Sequence, residues 1–179
     1  MTRRILIAAT LPLAFVAAPS AAQEVFVGAY VHGVDTPFTL ATGEGGADLE
    51  LGYRFARQPA LSLIGKPAPY VIGSVNSRGG TDFAGGGLSW KLGKGPIYLR
   101  PAVGLIVNDA PRRRVGANGL RTDLGSPVLF EPEIALGVRL SPRLAIEASW
   151  VHISGARLFN SRQNPGIDMM GVRLVLALE

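Results

Sequence analysis

Residues 130–140 read Phe130-Glu131-Pro132-Glu133-Ile134-Ala135-Leu136-Gly137-Val138-Arg139-Leu140. Phe130, Ile134, Leu136, Val138 and Leu140 fall on one parity, and Glu131, Glu133, Ala135, Gly137 and Arg139 fall on the other. Alternation with a period of two belongs to a β-strand whose faces meet different surroundings, because successive side chains point to opposite sides. Here one face is apolar and the other is charged or small.

The same pattern recurs along the chain. In residues 48–55, Leu49, Leu51, Tyr53 and Phe55 oppose Asp48, Glu50, Gly52 and Arg54. Leu144, Ile146, Ala148 and Trp150 oppose Ala145, Glu147 and Ser149, and Met170, Val172, Leu174, Leu176 and Leu178 oppose Gly171, Arg173 and Ala177. Residues 88–92 and 97–107 behave alike, with Lys91 and Arg100 on the polar faces, and less regular strands are expected near 25–33 and 69–76. That makes eight strands.

The 179 residues are 47% hydrophobic and 17% charged, with 23 Gly, 13 Pro and no Cys, and the mean hydropathy is +0.27. No Cys excludes a disulfide scaffold and a Cys-ligated metal site. The apolar content excludes a disordered chain. The one long, mainly apolar run, residues 5–18, follows Arg3 and Arg4 and precedes Pro19-Ser20-Ala21-Ala22. This is the pattern of a secretory signal peptide cleaved after Ala22. The expected organisation is therefore a leader over residues 1–22 and one β-barrel domain over 23–179. Loss of Arg3 and Arg4 with the leader lowers the formal charge from +5 to +3.

Eight alternating strands in an exported chain predict an all-β fold: an eight-stranded antiparallel transmembrane barrel, apolar outside and polar within. The polar faces carry Asp48, Glu50, Glu131, Glu133 and Glu147 against Arg54, Lys91, Arg100, Arg139 and Arg173. Five acids facing five bases suit an interior just wide enough for side chains to fill, where charge must be paired. Short connections at 93–95 and 141–142 alternate with long ones at 34–46, 109–128 and 155–165, as periplasmic turns alternate with external loops. The exception is the link 56–68, where residues 61–64 are expected to extend the third strand. The opposite arrangement, a soluble periplasmic lipid carrier, would turn its apolar faces inward.

The chain has two His. His152 stands two residues before Ser154, which on a strand puts both on one face about 6.6 Å apart. A rotated imidazole then reaches the hydroxyl, as a Ser–His nucleophile pair requires. Parity continues this face from Trp150, which points to lipid. Asp168 shares its parity with Met170 and Val172 on the next strand, also outward. An acid, a base and a hydroxyl thus share one patch of the outer wall. Two readings stand: a polar collar at the membrane interface, or a hydrolase triad acting on a lipid beside the barrel.

The stretch His152-Ile153-Ser154-Gly155-Ala156, followed by Gln163-Asn164-Pro165-Gly166-Ile167-Asp168, resembles the C-terminal signature of the outer-membrane lipid A 3-O-deacylases (PagL-type). The resemblance covers about 17 residues, which run from His152 to Asp168. It implies an eight-stranded barrel with a Ser-His-acid triad on the outer surface. Ser154 would be the nucleophile, His152 the general base and Asp168 the orienting acid, with Asn164 and Gly155 at the oxyanion. Asp168 stands where the pattern has Glu, and Gly155 where it has Asn. The loop between nucleophile and acid is two residues longer.

The implied reaction is ester hydrolysis at the 3-linked acyl chain of lipid A, in the outer membrane of a Gram-negative bacterium. It needs neither cofactor nor metal. Arg112, Arg113, Arg114, Arg121, Arg157 and Arg162 fall in expected external loops and suit a phosphorylated glycolipid. The pI of 10.1 does not argue for nucleic acid, which an exported barrel does not meet. Monomer and dimer are both open. The rival reading is a non-catalytic small outer-membrane barrel, structural or adhesin-like.

Overall fold

Each alternating segment becomes one stave of a closed barrel. The computed structural model describes residues 23–39, 43–110, 124, 126–155 and 166–178. The strands are β1 (Glu24–His32), β2 (Ala47–Arg54), β3 (Ala68–Asn76), β4 (Phe83–Ser89), β5 (Ile97–Asn108), β6 (Val128–Arg139), β7 (Leu144–Ile153) and β8 (Ile167–Ala177). Each pairs antiparallel with its sequence neighbour, and β8 closes on β1. Closure leaves no open sheet edge, which is what a strand-built wall needs in hydrocarbon.

The two faces divide as the alternation predicts. Leu49, Leu51, Leu136, Ile146, Val172, Leu174 and Leu176 stay exposed on the outside. Phe26, Tyr30, Tyr70, Tyr98, Glu50, Glu131, Glu147 and Arg173 are buried within. An apolar exterior with charges inside is the inverse of a soluble carrier, and that alternative is set aside.

The interior holds a polar network alongside a buried apolar cluster that includes Ile72, Ile106, Leu129, Val151 and Ile153. Glu147 accepts from Arg173 Nε at 2.7 Å, Arg100 Nε at 2.8 Å, Arg54 NH2 at 3.3 Å and Tyr98 OH at 2.7 Å. Glu24 bridges Arg54 and Arg100, each at 2.9 Å, while Arg173 also reaches Glu133 at 2.5 Å. Such charges persist away from water only when paired in this way. Small residues make room for the rings: Phe26 faces Gly52 and Tyr98 faces Gly137 in register. A Cβ at either glycine would fall on the ring.

Four details differ from the sequence expectation. The fourth strand is Phe83–Ser89 rather than 88–92, because Gly85, Gly86 and Gly87 have no side chains to alternate. Residues 61–64 do not extend β3; Pro59–Ile64 is a 3-10 helix ended by Gly65 at φ 87°, where Pro59 supplies a helix-start φ. Arg139 lies exposed at the rim instead of inside, since β6 ends there and water is nearer than a buried acid. Glu24 and His32 join the interior set in its place.

His32 closes the long-loop end of the barrel. Its Nδ1 meets Asp48 Oδ2 at 2.7 Å and its Nε2 meets Glu44 Oε2 at 2.9 Å. Both ring nitrogens therefore face carboxylates, the pattern of an imidazolium donating twice. Glu44 in turn accepts from the Thr81 backbone N–H at 2.7 Å and from its hydroxyl at 3.1 Å. This cluster ties the β1–β2 loop to the β3–β4 loop.

Candidate active site on the outer wall

The register of the last two strands builds the site. His152 of β7 is the direct partner of Asp168 of β8, on the outward face that continues from Trp150 and Met170. His152 Nδ1 lies 2.7 Å from Asp168 Oδ1. Trp150, one step back on the same face, donates its indole N–H to the same oxygen at 3.0 Å. The other oxygen, Oδ2, accepts from the Thr36 hydroxyl. Asp168 is fully buried at 0% exposure although its strand face is the outer one.

The proton positions follow from these partners. An ionised carboxylate only accepts, so His152 donates through Nδ1 and keeps its lone pair on Nε2. That is the tautomer a general base needs. The imidazole retains 20% side-chain exposure, so a substrate can reach it.

Ser154 lies just past the end of β7. Its backbone N–H donates to Phe130 O at 3.1 Å and its carbonyl accepts from Phe130 N at 2.9 Å, an isolated bridge to β6. Pro132, which lacks an N–H, falls in the gap between this bridge and the Glu133–Val151 pair. The bridge carries the outward parity two residues beyond His152. Among the described residues, no hydrogen bond joins Ser154 Oγ to His152; the residue as a whole is 6% exposed. Of the expected three, then, the base and the acid are in contact and the hydroxyl is adjacent but unbonded to the base. Gly155 follows Ser154 in the described chain. Asn164 and the arginines 112, 113, 114, 121, 157 and 162 lie outside the described residues.

Beside His152 runs an outward groove of about 290 Å³, lined by Phe38, Pro132, Ile134 and Trp150 as well as His152. Ile134 and Trp150 are register partners, and Phe38 of the β1–β2 loop packs on Trp150 with ring centroids 5.5 Å apart. Glu133 completes the groove's lining, and the remaining walls beside the imidazole are apolar. A second cavity of similar size opens at the far end of the barrel among Glu24, Arg54, Lys91 and Arg100, where Glu24 pairs with all three bases. Among the described residues, no cluster of three His, Cys, Asp or Glu is arranged to hold a metal.

Thr36 and Phe38 are the site residues that sequence reasoning missed. They come from a loop more than a hundred residues distant from Asp168, and nothing in their spacing marks them.

The family model for lipid A 3-O-deacylase (PagL) matches residues 74–177. The chain belongs to the lipid A 3-O-deacylase family. The match contains His152, Ser154 and Asp168, and stops short of the β1–β2 loop. Among solved structures, the outer-membrane enzyme PagL is similar at 17% identity with a TM-score of 0.58, covering 86% of this chain and 99% of its own. Neisserial surface protein A is similar at 11% identity with a TM-score of 0.58, covering 87% and 97%. Both likenesses are of fold. No curated protein sequence matches the chain. Barrel, family and outward apolar belt agree on the location: the protein is an outer-membrane barrel.

Proposed function

We propose that the protein is a serine esterase that removes the 3-linked acyl chain of lipid A, with Ser154 as nucleophile, His152 as general base and Asp168 as the acid that orients the base. The observation that carries this reading is the 2.7 Å contact between His152 Nδ1 and Asp168 Oδ1, placed on the lipid side of the wall and beside an apolar groove. A polar collar would need no buried carboxylate and no largely apolar groove next to the imidazole.

In the reaction, Ser154 Oγ attacks the ester carbonyl while His152 Nε2 takes its proton. The resulting imidazolium is stabilised by Asp168, which stays ionised. Collapse of the tetrahedral intermediate breaks the ester bond, and the sugar hydroxyl leaves with the proton from His152. Water, deprotonated by the same nitrogen, then releases the fatty acid and restores Ser154. Ser154 and His152 close to hydrogen-bond distance on substrate binding, as catalytic contacts often do. Gly155 and Asn164 are the candidates to hold the oxyanion. The groove residues Phe38, Pro132, Ile134 and Trp150 would receive the acyl chain, and loop arginines the phosphates.

The test is mass spectrometry of lipid A from cells expressing the wild type or Ser154→Ala. Wild type should yield a product lacking the 3-linked chain, and Ser154→Ala should leave it intact. If wild type leaves lipid A unchanged in the folded state, the non-catalytic barrel is the better description. If Ser154→Ala still deacylates, the nucleophile lies elsewhere.

A further inference from the structure

We propose that Thr36 is a positioning residue for the catalytic acid, so that the β1–β2 loop is a working part of the active site. This rests on the triad reading above.

Asp168 is completely buried, and both its oxygens are used. Oδ1 faces His152 and Trp150. Among the described residues, Thr36 is the donor to Oδ2. The direction of that hydroxyl is settled by its other partner: Thr36 Oγ1 accepts the Phe38 backbone N–H at 3.1 Å, which leaves its proton for the carboxylate. The loop is also fixed to the acid through its backbone, where Val34 N donates to the Asp168 carbonyl at 2.9 Å. Two residues past Thr36, the Phe38 ring packs on Trp150, which itself donates to Asp168 Oδ1. Thr36, Asp168, Trp150 and Phe38 thus close a ring of contacts around one carboxylate. The loop leaves β1 at His32, which Asp48 and Glu44 anchor.

A carboxylate on a two-torsion side chain can turn its oxygens. With Oδ2 held by Thr36, Oδ1 stays on the His152 side, and the imidazole keeps the tautomer and orientation the proton transfer needs. Without that donor, a buried oxygen is left unsatisfied, and the carboxylate turns to find another partner.

The experiment uses the full-length barrel in detergent micelles with purified lipid A as substrate, and folded protein is scored by its heat-modifiable migration. Thr36→Val removes the hydroxyl at nearly constant volume. It should lower kcat about 10- to 100-fold, the effect of losing one hydrogen bond to a charged group, while KM is unchanged. Thr36→Ser should restore kcat. In an Asp168→Asn background, Thr36→Val should add no further loss, since it acts through the carboxylate. If Thr36→Val does not fold, Thr36→Ala is read in the same way. Full activity in the hydroxyl-free variant, no rescue by Ser, or the same loss in both backgrounds overturns the proposal. An active Ser154→Ala would sink the triad reading itself. An inactive Ser154→Ala beside a fully active Thr36→Val would remove Thr36 alone.

Discussion

His152 and Asp168 face each other across one rung of the β7–β8 ladder, with Nδ1 and Oδ1 at 2.7 Å. Directly opposed residues of an antiparallel pair hold their Cβ atoms about 4.5–5.5 Å apart. The backbone ladder therefore sets the approach of base to acid, and a side chain as short as aspartate spans it. Further down the same two strands, Glu147 and Arg173 are also register partners, on the inner face. One strand pair presents an ion pair to the core and an acid–base pair to the outside.

Asp168→Asn should keep the barrel folded and lower kcat roughly 1,000- to 10,000-fold, because an amide no longer enforces the tautomer that leaves Nε2 free. Hydrolysis rates on lipid A micelles, normalised to folded protein, check this. An Asn variant with wild-type turnover would show that the His152–Asp168 contact is structural.

Gly166 and Gly79 make a matched pair for testing what surrounds the imidazole. Both have left-handed backbone, φ +61° and +65°. A Cβ on Gly166 would come within 2.9 Å of His152 Cε1, whereas one on Gly79 meets nothing within 4 Å. Each Ala substitution should cost about 1–2 kcal/mol of backbone strain. Gly166→Ala alone should also reduce kcat, as the ring is pushed off its position. Urea unfolding and turnover of both variants separate the two effects, and equal turnover would show that His152 yields without consequence.

Glu147→Gln should be among the most destabilising single changes in the interior. It removes the charge shared by Arg54, Arg100 and Arg173, and stripping a buried network of one partner costs about 3–5 kcal/mol. The midpoint of urea unfolding should fall, while turnover per folded molecule is retained because the site lies on the other face. Loss of turnover in the folded fraction would mean that the interior controls the wall.

Acid should loosen the β1–β2 loop. Burial works against the charge on Glu44, but hydrogen bonds from His32 and Thr81 outweigh it and hold the carboxyl below its ordinary 4.5. A carboxyl lowered in the folded state contributes stability above its unfolded value, and that stability is lost as pH falls through the folded value. The His32–Glu44–Thr81 tie should therefore hold at neutral pH and give way on the acid side below about pH 4.5. Limited proteolysis within residues 33–46 should rise on that side, and Glu44→Gln should show the same susceptibility already at pH 7. An equal cleavage rate for wild type and variant at pH 7 would count against the tie.

Legibility in the sequence followed the side chains. Where apolar and polar residues alternate, as in 130–140 and 144–150, strand, face and membrane side could all be read. Parity alone puts His152, Ser154 and Asp168 on one wall. β4 escaped because three consecutive glycines carry no pattern. Residues 61–64, four positions without strict alternation, became a 3-10 helix once Pro59 began it. Arg139 obeyed the inward parity, yet periodicity does not say how near the rim a residue lies. Thr36 was out of reach for another reason: a hydroxyl in a loop has no period, and its partner lies across the β1–β8 closure.

On the proposed function, the placement of the groove on the outer face changes the unit in which substrate is counted. A molecule that reaches Phe38, Ile134 and Trp150 from the side arrives by sliding within the lipid sheet. The relevant concentration is then an areal density. Mixing inert detergent into the sheet should thin the substrate around each barrel and slow turnover, whereas diluting the whole suspension with water should leave every barrel with the same neighbours and the same rate.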